Sequence, residues 1–334
     1  MTTNIHEVAK ALVAHGKGIL AADESNPTMG KRLESVGVEN ELAARMDYRK
    51  GIFTAPDLGQ YISGVILFDE TINALGEDDF HVSKYLNEQG IIPGIKVDKG
   101  AKPFNAKYPE IEKVTEGLDM LGGRLDGYAA VGAQFAKWRA VITPMPNTFP
   151  TSACMHANAH ALARYAQVCQ EHGIVPIVEP EVLLNNSISM GRCYDITKQA
   201  IWRTFDEMAR LHVDFRGIVL KPNMVMPGYH SEQQAEVEEV AERTVKCMEE
   251  VVPAAVPGIA FLSGGQTNEK ATAHLNAMNM MHDLPWSLTF SYGRALQSDA
   301  LKAWAESGVD DSRRALMNRV KANCLASMGK FEGE

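Results

Sequence analysis

No apolar run in the chain approaches the roughly 18 residues needed to cross a bilayer, so no membrane span is expected. The opening MTTNIHEVAKALVAHGKGIL lacks a basic start, an apolar stretch and a small-residue cleavage site, so no secretory leader is expected. There is no Cys-x-x-Cys pair either. Cys154, Cys169, Cys193, Cys247 and Cys324 are odd in number and widely spaced, which reads as free buried thiols in a reducing compartment. The Asn185-Asn186-Ser187 sequon then has no glycosylation to receive, and a cytoplasmic location is expected. Positive charge is short. With 33 Lys and Arg against 42 Asp and Glu, the net charge of −9 argues against nucleic-acid or membrane partners. A local cluster of cations can still receive a small anion. Metal-site patterns are absent as well. Of ten histidines, only His156 and His160 stand i, i+4 on an expected helix, with no His-Glu-x-x-His or cysteine motif beside them. They read as helix-surface histidines, and no metal is expected.

The composition, 45% hydrophobic and 22% charged, is that of an ordinary globular protein. At 334 residues the chain could form one large domain or two, but no linker, low-complexity tract or charge block divides it. One domain over 1–334 is therefore expected. Short β-branched runs alternate with longer amphipathic stretches. The expected strands are GILAAD (18–23), ISGVILF (62–68), IPGIKVD (92–98), QFAKWRAVI (134–142), IVPIVEPEVL (174–183), RGIVLKPN (216–223), GIAFLSG (258–264) and SLTFSYG (287–293). Helices are expected at 39–54, 152–171, 192–212, 232–252, 267–280 and 296–306, with another near 114–130. Strand starts recur at roughly 28 to 44 residues, the size of a βα unit with additions. Eight such units suit a closed α/β barrel better than an open doubly wound sheet. Gly16-x-Gly18 precedes a strand and lacks a third glycine, so it is no dinucleotide fingerprint.

Chemistry gathers where the strands end. The first runs into Asp23-Glu24-Ser25, the third carries Lys96 and Asp98, and the fourth carries Lys137 and Arg139. The fifth carries Glu179 and Glu181, and the sixth ends at Lys221. The seventh ends in Ser263-Gly264-Gly265 and the eighth in Ser291-Tyr292-Gly293-Arg294. Period-two alternation puts Lys137 with Arg139, and Glu179 with Glu181, on shared faces. Any one of these charges reads as a solvated loop residue; six strands ending this way do not. In a barrel, the C-terminal mouth is where catalytic groups converge.

Lys221 follows the apolar Gly217-Ile218-Val219-Leu220 and precedes Pro222. A free lysine, with a pKa near roughly 10.4, is a poor nucleophile at neutral pH. Burial and neighbouring cations such as Lys137 and Lys96 would lower that value. Glu179 could shuttle protons. A lysine merely paired with a barrel carboxylate is the competing reading. For phosphate, Ser263-Gly264-Gly265 precedes a helix start near Thr267, where backbone N–H groups can meet an anion. Gly293-Arg294 repeats the arrangement, and arginine can bind phosphate bidentately. A second anion site is conceivable around Ser25, Thr28, Lys31, Arg32 and Lys96. Two such sites flanking one reactive lysine would suit a sugar phosphorylated at both ends.

At these residues the sequence resembles the class I fructose-1,6-bisphosphate aldolases, from about residue 14 to 330. GKGILAADES, SGVILF, GIKVDKG, FAKWR, LARYA, GIVPIVEPE, VLKPNM, FLSGGQ and LTFSYGRALQ follow the family's order and approximate spacing. The resemblance implies a (β/α)8 TIM barrel assembled as a homotetramer. It implies a glycolytic and gluconeogenic lyase that reversibly cleaves fructose 1,6-bisphosphate to dihydroxyacetone phosphate and glyceraldehyde 3-phosphate, with no metal or other cofactor. It makes Lys221 the Schiff-base lysine, Glu179 the proton-transfer group, Asp23 the contact to the C4 hydroxyl, and Lys137 the polariser of substrate hydroxyls. Arg139 and Glu181 match supporting charges. Ser263, Gly264, Gly265, Ser291, Gly293 and Arg294 fall on the 1-phosphate site. Ser25, Thr28 and Lys96 fall on the 6-phosphate side, with Arg32 at another substrate contact. Many animal members end in a tyrosine that moves a proton at C3, whereas this sequence ends GKFEGE and its last tyrosine is Tyr292. Another group or water then moves that proton, or the step is slower. Two alternatives stand beside this reading: a Schiff-base lyase for another phosphorylated ketose, and a catalytically silent binding or scaffold barrel.

Overall fold

The computed structural model describes residues 4–74, 80–145 and 148–333. Among these residues ten strands are present: β1 (Gly18–Ala22), β2 (Ile62–Leu67), β3 (Ile92–Lys96), β4 (Ala101–Pro103), β5 (Lys113–Thr115), β6 (Phe135–Ile142), β7 (Val175–Val182), β8 (Val219–Leu220), β9 (Gly258–Phe261) and β10 (Ser287–Tyr292). Eight of them close into a barrel in the order β1-β10-β9-β8-β7-β6-β3-β2, each pairing parallel to its neighbours. The eight runs expected from sequence all form barrel strands. The antiparallel pair β4–β5 is an addition on the loop after β3, in the stretch where the sequence pattern is least regular.

Strand parity divides each strand between two cores. Leu20, Ala22, Val65, Leu67, Trp138, Val178 and Leu220 point outward and pack with helix residues in one continuous cluster. Ile19, Ala21, Ile66, Phe135, Val175, Ile177, Val219 and Ala260 point inward, where Val8, Ala9, Leu12 and Val13 meet them. The helix Ile5–Leu12, which the sequence reading left unassigned, thus plugs the N-terminal end of the barrel. The interior is apolar at that end. Continuing the same parity toward the other end places Asp23 after Ala21, Lys137 after Phe135, Glu179 after Ile177 and Lys221 after Val219.

The barrel helices Ser152–Glu171, Met190–Arg210, Asn268–Asn279 and Arg294–Ser307 fall close to their expected places. One expected helix, 232–252, starts later, at Val237. Pro222 and Pro227 keep the first part of the preceding run out of helix, and Glu236 takes the N-cap position. Strand β8 is only two residues long, but its ladder carries on. Lys221 N–H donates to Val178 O at 2.8 Å, and Pro222 O accepts from Leu262 N at 3.0 Å. No helix among the described residues is long and apolar enough to cross a membrane. The five cysteines are buried and free.

Candidate active site

The C-terminal mouth opens into a cavity of about 770 Å³. Every site residue singled out from the sequence lines it except Lys31 and Gly265, the latter next in sequence to the lining residue Gly264. Lys31 does not line it; it is exposed, so the anion site considered around Ser25 loses that cation. Asp69, Arg124 and Tyr128 are lining residues that sequence reasoning missed. Arg124 and Tyr128 lie on the helix Leu121–Ala130, in the less regular stretch where no strand end marks them, whereas Asp69 opens the short helix directly after β2.

At the cavity floor, four charges from four strands form one chain. Lys137 Nζ lies 2.8 Å from Asp23 Oδ2 and 3.0 Å from Glu179 Oε2. Lys221 Nζ lies 3.3 Å from Glu179 Oε1. Register explains the proximity: Lys137 pairs with Ile177, and Ile177 with Val219, so Glu179 and Lys221 emerge side by side two residues on. Lys137, Glu179 and Lys221 are all buried. Burial alone would neutralise each of them. For Lys137 the carboxylates of Asp23 and Glu179 outweigh it, and the ammonium titrates above the usual lysine range. For Asp23, burial is overcome by Lys137 and then Lys221, which hold the carboxyl well below the usual range. Glu179 is likewise lowered, against burial, by Lys137, Lys221 and Arg139. Lys221 goes the other way. Burial and Lys137 together outweigh Glu179 and Asp23, and its ammonium is disfavoured.

Arg139, Lys96 and Arg32, also at the mouth, each have a carboxylate partner. Arg139 Nε donates to Glu181 Oε2, and burial is outweighed there by Glu181, raising the guanidinium further. Lys96 Nζ meets Asp98 Oδ1 at 2.7 Å, and Arg32 meets Glu24. Ser25 caps the helix Asn26–Glu34, its hydroxyl 3.1 Å from Thr28 Oγ1. After β10, the strand beside β1, Arg294 has no carboxylate partner among the described residues and lies near the Ser263–Gly265 turn. Ser291 Oγ is buried with no hydrogen-bond partner among the described residues, and its residue lines the cavity. A buried hydroxyl without a partner is costly, and an anion's oxygen arriving here would satisfy it.

His156 and His160 lie far from this in the fold, on the helix Ser152–Glu171, with Nδ1 atoms 3.6 and 2.8 Å from Glu207. Among the described residues no group of three or more His, Cys, Asp or Glu side chains is arranged to hold a metal ion.

A barrel mouth that sets a lysine with a disfavoured ammonium against a buried carboxylate has the arrangement a Schiff-base lyase needs. The comparisons narrow the class. The "Fructose-bisphosphate aldolase class-I" family profile matches residues 4–334. A probable fructose-bisphosphate aldolase class 1 of Xanthomonas campestris pv. campestris is 50% identical over 330 residues, covering 98% of each chain. The cytosolic fructose-bisphosphate aldolase 4 of Arabidopsis thaliana is 46% identical, over 96% of this chain and 81% of its own. The co-crystal structure of fructose-bisphosphate aldolase from Plasmodium falciparum superposes with a TM-score of 0.96 at 41% identity, covering 99% of this chain and 95% of that one. The chain belongs to the class I fructose-bisphosphate aldolase family, whose members work through a lysine Schiff base.

Proposed function

We propose that this chain reversibly cleaves fructose 1,6-bisphosphate to dihydroxyacetone phosphate and glyceraldehyde 3-phosphate, with Lys221 as the covalent nucleophile. The observation that carries the reading is the geometry around two neighbouring buried lysines: Lys137 lies within 3.0 Å of two carboxylates, while Lys221 has one at 3.3 Å, and burial with the nearby Lys137 disfavours its ammonium.

The neutral amine of Lys221 attacks the C2 carbonyl, and Glu179 passes protons as the carbinolamine loses water to a protonated imine. Asp23, a carboxylate at rest, then takes the C4 hydroxyl proton. The C3–C4 bond breaks, its electrons run to the imine nitrogen, and the aldehyde leaves. Protonation of the enamine at C3 and hydrolysis return Lys221. Lys137, shared between Asp23 and Glu179, polarises the substrate hydroxyls, and Arg139 with Glu181 steadies this array. Ser263, Gly264, Gly265, Ser291, Gly293 and Arg294 receive the 1-phosphate. Ser25, Thr28 and Lys96 serve the far end, and Arg32 is a further substrate contact. The partnerless Ser291 hydroxyl supports the first assignment, and the two hydroxyls at the start of a helix support the second.

The same reading makes residues 1–334 one catalytic domain, which needs no metal or other cofactor. It makes the protein a cytoplasmic homotetramer with no nucleic-acid or membrane partner. The family, the plant relative named cytosolic and the net charge of −9 support these points.

Borohydride added with dihydroxyacetone phosphate is expected to label Lys221 covalently, and a peptide map placing the adduct elsewhere rejects the assignment. Lys221→Met is expected to lose turnover while phosphate esters still bind. Wild-type-like rates in that variant would rule out the covalent role.

A further inference from the structure

The turn Ser263–Gln266 owes its shape to more than its glycines. It closes with Gln266 N–H donating to Ser263 O at 2.9 Å, and its central residues have φ of 54° at Gly264 and 93° at Gly265. Glycine enters this region without steric cost, and for the same reason leaves it easily. Tyr229 supplies the restraint. Its hydroxyl donates to Gly264 O at 2.6 Å, and a Cβ on Gly265 would stand 3.3 Å from its ring edge. A trans peptide is planar, so turning the Gly264 carbonyl toward Tyr229 aims the Gly265 N–H the opposite way. Neither glycine N–H has a partner among the described residues. Arg294 Nη2 would lie 3.1 Å from a Cβ on Gly265, so the guanidinium stands directly beside this turn.

Tyr229 is itself anchored from elsewhere. Its N–H donates to Leu184 O at 2.9 Å, and Gly228 N–H donates to Ile188 O at 2.9 Å. It sits eight residues beyond Lys221, at the end of the buried run 221–228. Burial raises its phenol to about 12, with Arg294 pulling down and Glu181 pushing up, so it remains a donor throughout the neutral range.

We infer that Tyr229 is a positioning residue for the substrate's C1 phosphate, holding the Gly264–Gly265 peptide plane so that its one donor, the Gly265 N–H, is presented to the anion beside Arg294. The inference rests on the aldolase reading and deepens it. The phenol touches the loop, and the loop touches the phosphate.

Tyr229→Phe keeps the ring and removes the donor. Trapping by borohydride is compared with dihydroxyacetone phosphate and with unphosphorylated dihydroxyacetone. For the phosphorylated ketone the half-saturating concentration is expected to rise about tenfold, the scale of one lost hydrogen bond, with little change in the saturated trapping rate. For the unphosphorylated ketone no change is expected. Equal losses on both ketones, or none on either, would overturn the inference. If the wild-type protein traps neither ketone, the aldolase reading fails. The rise in Tm caused by inorganic phosphate then decides the inference alone: its loss in Tyr229→Phe supports the positioning role, and its retention refutes it.

Discussion

Lys137 and Lys221 are the same residue type on strands separated only by β7, yet their environments drive them in opposite directions. Lys137 has two carboxylates within 3.0 Å. Lys221 has one, at 3.3 Å, and Lys137 as a near cation. In Lys137→Met, Asp23 and Glu179 both remain, but the cation that opposed them is gone. They then favour the charged form of Lys221, and its pKa rises toward the ordinary lysine value. The neutral amine becomes scarcer near neutrality, so borohydride trapping should slow about tenfold at neutral pH for each unit of rise. The profile of trapping against pH should move to the alkaline side. An unmoved profile would mean that Lys137 acts on the substrate alone.

At the scale of elements, the interior of the barrel sets what its strands can carry. Phe135 fills the N-terminal half from β6, and the strands beside it give way. A Cβ on Gly94 of β3 would lie 2.2 Å from the Phe135 ring, and one on Gly64 of β2 would lie 3.1 Å from it. Gly94→Ala therefore overpacks the interior and should cost about 1–3 kcal/mol, read as a lower urea midpoint with an unchanged slope. Gly94→Ala combined with Phe135→Leu should recover part of that loss. If the double variant is worse by the sum of the two, the ring is not the obstacle. The eight strands were legible because each is a compact apolar run bounded by charge or glycine, and period two then put Lys137 with Arg139, and Glu179 with Glu181, on shared faces without coordinates. The plug helix Ile5–Leu12 was not legible, since its amphipathic pattern says that it packs but not against what. Nor were Arg124 and Tyr128, which helix Leu121–Ala130 brings to the mouth. Tyr229 was hidden for another reason: its role depends on which carbonyl its hydroxyl meets, a contact 35 residues away in sequence.

For the whole molecule, acid stability depends on a buried group outside the reacting array. Asp23 and Glu179 have depressed pKa values. Their contribution is present above the unfolded carboxyl values, near roughly 4, and is lost only as pH falls below them. His274 acts in a different window. It is buried on the helix Asn268–Asn279, with Nδ1 2.6 Å from Gln266 Oε1. Burial, then Lys270, lower its pKa from 6.5 to about 4, against a small pull from Glu238. Between those values the unfolded chain binds a proton that the folded chain refuses, so stability must rise with pH there and fall on acidification. The loss should reach about 2 kcal/mol near pH 5 relative to neutral pH. Self-repulsion changes in the opposite sense, because a chain of net charge −9 sheds negative charge as the pH drops. The two trends separate in His274→Asn, which removes the titration and leaves a polar side chain facing Gln266. The urea-derived stability difference between neutral pH and pH 5 should shrink in the variant by about 2 kcal/mol. A variant that tracks the wild type across that range would show that the imidazole takes up its proton without leaving the core.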